Sequence, residues 1–192
     1  MLFLKQFPAG TDVQEKFRSN RRHRFVFLRF LNLDKNDNYF YTTSMDLRTV
    51  LTTDTVDLHL KGTTKEEIID EMLDILVKAG KVTDKAAARE CVLDRERKMS
   101  TGMKHGIAIP HGKTDTVSDL VACIGISDNP VDFDSLDQEP CRIFIMTLSP
   151  VNKTGPHLQF LAEVSLLFKS PEKRQLILNT QDKSEVIKIL TE

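Results

Sequence analysis

Read for the spacing of its apolar positions, the chain becomes regular beyond residue 44. Thr63-x-x-Glu66 and Thr64-x-x-Glu67 are both capping-box patterns. Ile68, Ile69, Met72, Leu73, Leu76 and Val77 then recur at helical spacing, and Gly80 marks the stop. The same reading predicts a second helix over residues 84–98. STGMKHG follows as a loop, and GIAIP reads as a short buried strand that Pro110 ends. LVACIGI (120–126) and CRIFIMTL (141–148) are apolar runs of strand length, separated by turn-forming NP and LD pairs. Pro156 opens an amphipathic helix through Phe168, Ser170-Pro171 is an N-cap followed by a proline at the first helical position, and a last helix covers residues 184–190. Helices and strands alternate, so the pattern predicts an α/β layer fold.

Residues 1–44 lack any clear period. They hold 8 Lys/Arg against 4 Asp/Glu, whereas residues 45–192 hold 19 against 24. Nine of the 13 Phe and Tyr also fall in this first segment. Three readings compete for it. A basic arm with interleaved aromatics binds RNA or a membrane surface. An accessory hairpin pairs the strand-like stretch 25–33 with Tyr39–Thr43. In the third reading, which the composition shift just before Met45 favours, the segment is upstream of a working protein that starts at Met45. The expected organisation is therefore an N-terminal extension over 1–44, mobile or accessory, and one domain over 45–192.

For the whole chain, a length of 192 residues suits one domain plus an appendage. A net charge of −1 gives no general electrostatic case for nucleic acid. No apolar run approaches the ~18 residues of a membrane span. The opening MLFLKQFPAG lacks the basic start and long apolar core of a secretory signal. Cys91, Cys123 and Cys141 are scattered, without a CxxC pair, which argues against a disulfide framework or zinc site. The expectation is a cytoplasmic protein without metal, cofactor or membrane insertion.

Candidate chemistry gathers around the histidines. His23 and His59 read as surface or turn residues, while His105, His111 and His157 stand near the ends of predicted elements, where sites are usually built. His111 directly follows GIAIP. A buried strand ending in Pro110 presents the next side chain from a rigid base, and Gly112 admits close approach of another molecule. This placement suits a nucleophile, and it equally describes a solvated histidine ending an edge strand. His157 lies in the first turn of its helix, where the dipole disfavours imidazolium and favours a bound anion. Leu161, Val164 and Phe168 share its face and turn it inward, so a core histidine bonded to a backbone carbonyl is the alternative. Arg95 and Glu96 lie in DRERK at the end of the second helix. Such a run is ordinarily a solvated face, but an inward Arg95 would be a bidentate phosphate ligand. Two imidazoles and a guanidinium suit a transferable phosphoryl group better than a metal, since nothing has ligand spacing such as HExxH. With neither a Walker A motif nor GxGxxG, that group must arrive from another protein.

RERKMSTGMKHGIAIPHGKTD resembles the active-site region of the enzyme IIA domains of the bacterial phosphotransferase system, in the mannitol/fructose/nitrogen-regulatory class. The resemblance runs from about Met45 to Leu190 and includes VLTTDTVDLHLKGTTKEEII, similar to the family's opening strand and first helix, and GPHLQFLAEVSLLF, similar to its second histidine segment. It implies a mixed β-sheet with helices packed on both faces. It implies that His111 accepts a phosphoryl group from the histidine-containing phosphocarrier protein, that His157 hydrogen-bonds the phosphoryl oxygens and that Arg95 closes on the phosphate. Ser100, Thr101 and Lys104 become candidate phosphate-loop residues. Lys104 departs from the small residue usual in the family's TGxGxG loop, which bears on the partner more than on the fold. Two functions share such a site: a phosphocarrier that passes the group to a IIB domain for sugar uptake, and a regulatory module whose phosphorylation state controls a transporter, channel or kinase. A plain interaction domain is weaker, because all three site residues are present. Cys141, the nearest candidate for a second nucleophile, reads better as a small core residue. A homo-oligomer through the N-terminal aromatics is a further possible partnership.

Overall fold

The computed structural model describes residues 45–192 throughout and, before them, the backbones of three strands: β1 (Gln6–Phe7), β2 (Leu28–Asn32) and β3 (Tyr39–Thr43). Strand β3 pairs antiparallel with both β1 and β2, with Leu28 opposite Thr43 and Asn32 opposite Tyr39. The stretches read as a hairpin do pair. The basic cluster at 18–24, with its RNA or membrane reading, lies outside the described residues. The chain divides into two units, Met1–Met45 and Asp46–Glu192. The elements that follow belong to the second.

Strand β4 (Val56–Leu60) leads into α1 (Lys65–Lys78). The predicted capping box forms at Thr64. Its hydroxyl accepts the Glu67 N–H, and the Glu67 carboxylate accepts the N–H groups of Thr63 and Thr64 at 2.8 and 3.1 Å. Gly80 ends the helix region with φ of 66°, a left-handed conformation that glycine adopts freely. Asp84 caps α2 (Lys85–Lys98), which buries Ala88, Val92, Leu93 and Glu96 on one stripe. Then come β5 (Ile107–Ala108), β6 (His111–Lys113), β7 (Val121–Val131) and β8 (Cys141–Ser149). The helices α3 (Thr154–Leu167), α4 (Pro171–Asn179) and α5 (Lys183–Thr191) complete the unit.

Three elements differ from the sequence reading. Pro110 interrupts its strand without ending it, for β6 resumes on β8 in the register of β5. Ile107 lies opposite Ile143 and His111 opposite Thr147. Proline lacks a donor, but its carbonyl still accepts the Thr147 N–H at 3.1 Å. Strand β7 outruns its apolar stretch because its register shifts between Ile126 and Val131, where Pro130 cannot donate to a regular ladder. Helix α3 starts two residues before Pro156, a position in the first turn that needs no N–H.

The sheet is mixed, in the order β4-β7-β8-β5, with β6 also on β8. Only β7 and β8 run antiparallel; β4–β7, β5–β8 and β6–β8 are parallel. Both faces are covered. Cys123, Phe144, Met146 and Leu148 join Ile68, Met72, Leu76 and Val92 of α1 and α2 in one core. Ile124, Ile143 and Ile145 point to the opposite face, the side of Phe160, Val164, Ile177 and Val186 from α3–α5, all buried. Strand β6 lies at an edge, between the end of α2 and the start of α3.

Candidate functional site

That edge carries a cleft of about 570 Å³. Arg95 and Lys98 line it from α2, His111 and Lys113 from β6, and His157 and Leu158 from α3. Cys91 and Asp94 also line it.

His111 is half-buried and held at both ring nitrogens. Its Nδ1 lies 2.8 Å from the Ile109 carbonyl, which can only accept, and its Nε2 takes a bond from Arg95 Nε at 3.1 Å. A guanidinium can only donate, so the two bonds together assign a neutral ring with the proton on Nδ1 and the lone pair on Nε2. Burial lowers the His111 pKa; the Ile109 bond opposes this, and the charge of Arg95 adds to it. The Ile109 carbonyl is available because β5 and β6 form the sheet edge. The loop after α2 covers that edge only in part: Met103 N–H donates to the Ile107 carbonyl at 2.7 Å, and Ile109 N–H to the Thr101 carbonyl at 3.0 Å.

Arg95 is fixed from its own helix end, where Nη1 donates to the Met99 carbonyl at 2.8 Å. That carbonyl is one of the orphan acceptors of a helix C-terminus. His157 is buried, only 4% exposed, with Nδ1 2.8 Å from the Ser149 hydroxyl. Burial first, then competition with His111 for a proton and the charges of Lys113 and Arg95, depress its pKa to about 4, so it is neutral near pH 7. The two imidazoles stand 5.5 Å apart between centroids, tilted by 55°.

The structure thus brings His111, His157 and Arg95 together, and Ser149 takes the place of the backbone carbonyl weighed for His157. It places the three loop candidates elsewhere. Thr101 donates N–H and hydroxyl to the buried Glu96 carboxylate, the hydroxyl at 2.5 Å. Ser100 donates to the Phe133 carbonyl at 2.7 Å. Lys104 is exposed and outside the cleft lining. Ser100 and Thr101 hold the loop in place, and their polar groups are already taken. His105 is likewise exposed and outside the lining, with its backbone N–H on Asp137 at 2.8 Å.

Glu96 is not part of a solvated face. It is 7% exposed and also accepts from Lys65 Nζ at 3.0 Å. Lys65 further bonds Asp134 at 2.6 Å, so one ammonium ties α1 to the end of α2 and to the loop after β7. Burial works against the charge of Lys65, but the bonds to Asp134 and Glu96 outweigh it and raise its pKa. Sequence reasoning also passed over Lys113. The signal for Glu96 was its spacing of four from Val92, and for Lys113 its spacing of two from His111. Cys141 is fully buried and its thiol is pushed up to about 12, in keeping with a core role. Among the described residues no group of three or more His, Cys, Asp or Glu is arranged to hold a metal ion, and no helix is long and apolar enough to cross a membrane.

A neutral histidine flanked by a second imidazole and an arginine brings together groups suited to an anionic ligand. Comparison with known proteins gives the family. Residues 49–192 match the family described as phosphoenolpyruvate-dependent sugar phosphotransferase system, EIIA 2, and the chain belongs to that family. It is 35% identical over 147 residues to a fructose-specific EIIA component of Haloferax volcanii, covering 77% of this chain and 96% of that one. It is 36% identical over 148 residues to a fructose-specific EIIABC component of Bacillus subtilis; the match covers 77% of this chain and only 23% of that longer protein. The crystal structure of the nitrogen regulatory protein IIA-Ntr from Neisseria meningitidis superposes with a TM-score of 0.70 at 29% identity, covering 74% of this chain and 97% of that one.

Proposed function

We propose that this chain accepts a phosphoryl group on His111 Nε2 from the histidine-containing phosphocarrier protein and passes it to a IIB domain during sugar uptake. The observation that carries the reading is the aimed lone pair on His111 Nε2, in a ring kept neutral by burial and by Arg95. Nε2 attacks phosphorus, and the P–N bond to the donor histidine breaks with its electron pair returning to the donor ring. The proton stays on Nδ1, still donated to the Ile109 carbonyl. Arg95 yields the lone pair it holds at rest and transfers its donation to the phosphoryl oxygens. His157 accepts from Ser149 at Nδ1 and turns Nε2–H to the same oxygens. Such transfer needs positioning and charge stabilisation more than covalent help. Onward transfer repeats the exchange, with a IIB side chain as the nucleophile. The resemblance to two fructose-specific components favours fructose as the sugar.

A regulatory role is the second reading, favoured by the similarity to a nitrogen regulatory protein. Incubation with labelled phosphoenolpyruvate, enzyme I and the phosphocarrier protein is expected to label the chain in an acid-labile, base-stable form. His111→Ala should abolish the label, and normal labelling of that variant refutes the assignment. His157→Ala should accept the group and release it slowly to IIB. A labelled chain that passes nothing to any IIB domain decides for regulation.

A further inference from the structure

Strand β6 carries a second polar side chain beside His111. The two-residue alternation of a strand puts Lys113 on the His111 side and Gly112 on the other. In register, Lys113 lies opposite Ser149, the residue whose hydroxyl meets His157 Nδ1. Lys113 therefore rises beside the histidine pair, and its charge is among those that depress the His157 pKa.

Its ammonium has only a neutral partner. Nζ donates to the Thr154 hydroxyl at 2.6 Å, at the first residue of α3. Among the described residues Lys113 makes no ion pair. Asp94, the one carboxylate lining the cleft, is paired with Arg97. The cleft thus holds a cation whose present bond is of the weaker, neutral-acceptor kind, while a phosphoryl group would offer charged oxygens within the same space. A lysine stem is flexible enough to change partners, as a bidentate, helix-anchored arginine is not.

We propose that Lys113 is a third ligand of the phosphoryl group on His111, moving its ammonium from the Thr154 hydroxyl to a phosphoryl oxygen as the group arrives. This rests on the reading of His111 as the acceptor. No covalent bond changes at Lys113, and all three protons stay on Nζ. Arg95 approaches the group from α2 and His157 from α3; Lys113 closes the third side from the sheet edge.

The test is the equilibrium of phosphoryl exchange between the intact chain and the phosphorylated phosphocarrier protein, for wild type, K113M, K113R and T154V. K113M is expected to hold the phosphoryl group about tenfold less well, the effect of losing one charge-assisted hydrogen bond. K113R restores most of that loss. T154V, which removes only the resting partner, keeps or increases occupancy. The phosphorus NMR signal of phospho-His111 shifts in K113M and stays in place in T154V. Wild-type occupancy and signal in K113M overturn the proposal while leaving His111 as the acceptor. Equal losses in K113M and T154V also overturn it, for Lys113 would then act only by holding the start of α3. A wild-type chain that takes no label overturns both readings.

Discussion

A methyl group added at Gly112 tests how the active strand is seated. A Cβ there would stand 2.6 Å from Cys91 Sγ on α2, with the Cys91 backbone at an ordinary 3.5 Å. Carbon and a large neighbour sit comfortably at about 3.5–4.0 Å, so roughly 1 Å must be found. Two movements supply it. The Cys91 thiol rotates and loses its donation to the Lys113 carbonyl, now 3.0 Å, or β6 moves away from α2 and takes His111 and Lys113 with it. Overpacking of this kind costs about 1–3 kcal/mol. For a domain of this size that is a fall in Tm of roughly 2–4 °C per kcal/mol. The assay is a double-mutant cycle in urea unfolding with Gly112→Ala, Cys91→Ala and the pair. Removing the sulfur makes room for the new methyl, so the pair should be within about 0.5 kcal/mol of Cys91→Ala alone, the margin of independent sites. Labelling from the phosphocarrier protein should slow in Gly112→Ala and recover in the pair. If the two substitutions simply add, the contact does not seat the strand and the reasoning fails.

Further outcomes concern the charged groups. His157 has a folded pKa of about 4 against about 6.5 unfolded, so the unfolded chain binds the extra proton. Its contribution, up to about 3 kcal/mol, is complete above pH 6.5 and is lost as pH falls towards 4. Urea unfolding at pH 7.5, 5.5 and 4.5 should show a flatter acid side in His157→Asn than in wild type; parallel profiles contradict it. Arg95→Lys keeps a charge but loses the fork that reaches both His111 and the Met99 carbonyl. Phosphoryl acceptance should slow by at least tenfold with little change in Tm, and unaltered kinetics would return Arg95 to the status of a helix-end charge.

Local signals made the helices and the histidines readable. The capping box at Thr64, the N-cap at Ser170 and the spacing of His157 from Leu161, Val164 and Phe168 depend on near neighbours only. His111 stands out in the sequence for the same reason, since strand, proline and glycine adjoin it. In the loop after α2, Ser100 and Thr101 have atoms suited to a phosphate, and nothing adjacent in the sequence shows that those atoms have partners within the fold. Their partners, Phe133 and Glu96, are set by packing across elements. Glu96 was hidden by composition: DRERK looks solvated until the stripe from Ala88 and Val92 is carried one turn further. The continuation of the strand past Pro110 depends on β8, thirty-six residues away in register, which no local pattern displays.

The carbonyl of Ile109 has a consequence for how other proteins reach this site. Along β5 and on to Ile109, three outward-facing backbone groups are occupied: the Ile107 carbonyl and the Ile109 N–H by the loop, and the Ile109 oxygen by the imidazole. An exposed edge ordinarily invites a foreign strand. Here an incoming strand would have to take the Ile109 oxygen from His111, free the Nδ1 proton and erase the tautomer that points the lone pair outward. Under the proposed function, phosphoryl donors and acceptors therefore meet this chain with side chains over the cleft and leave the sheet unextended. The same arrangement makes the ring's proton position a property of the main chain, beyond the reach of side-chain scanning and open to test by replacing a backbone amide with an ester at this edge.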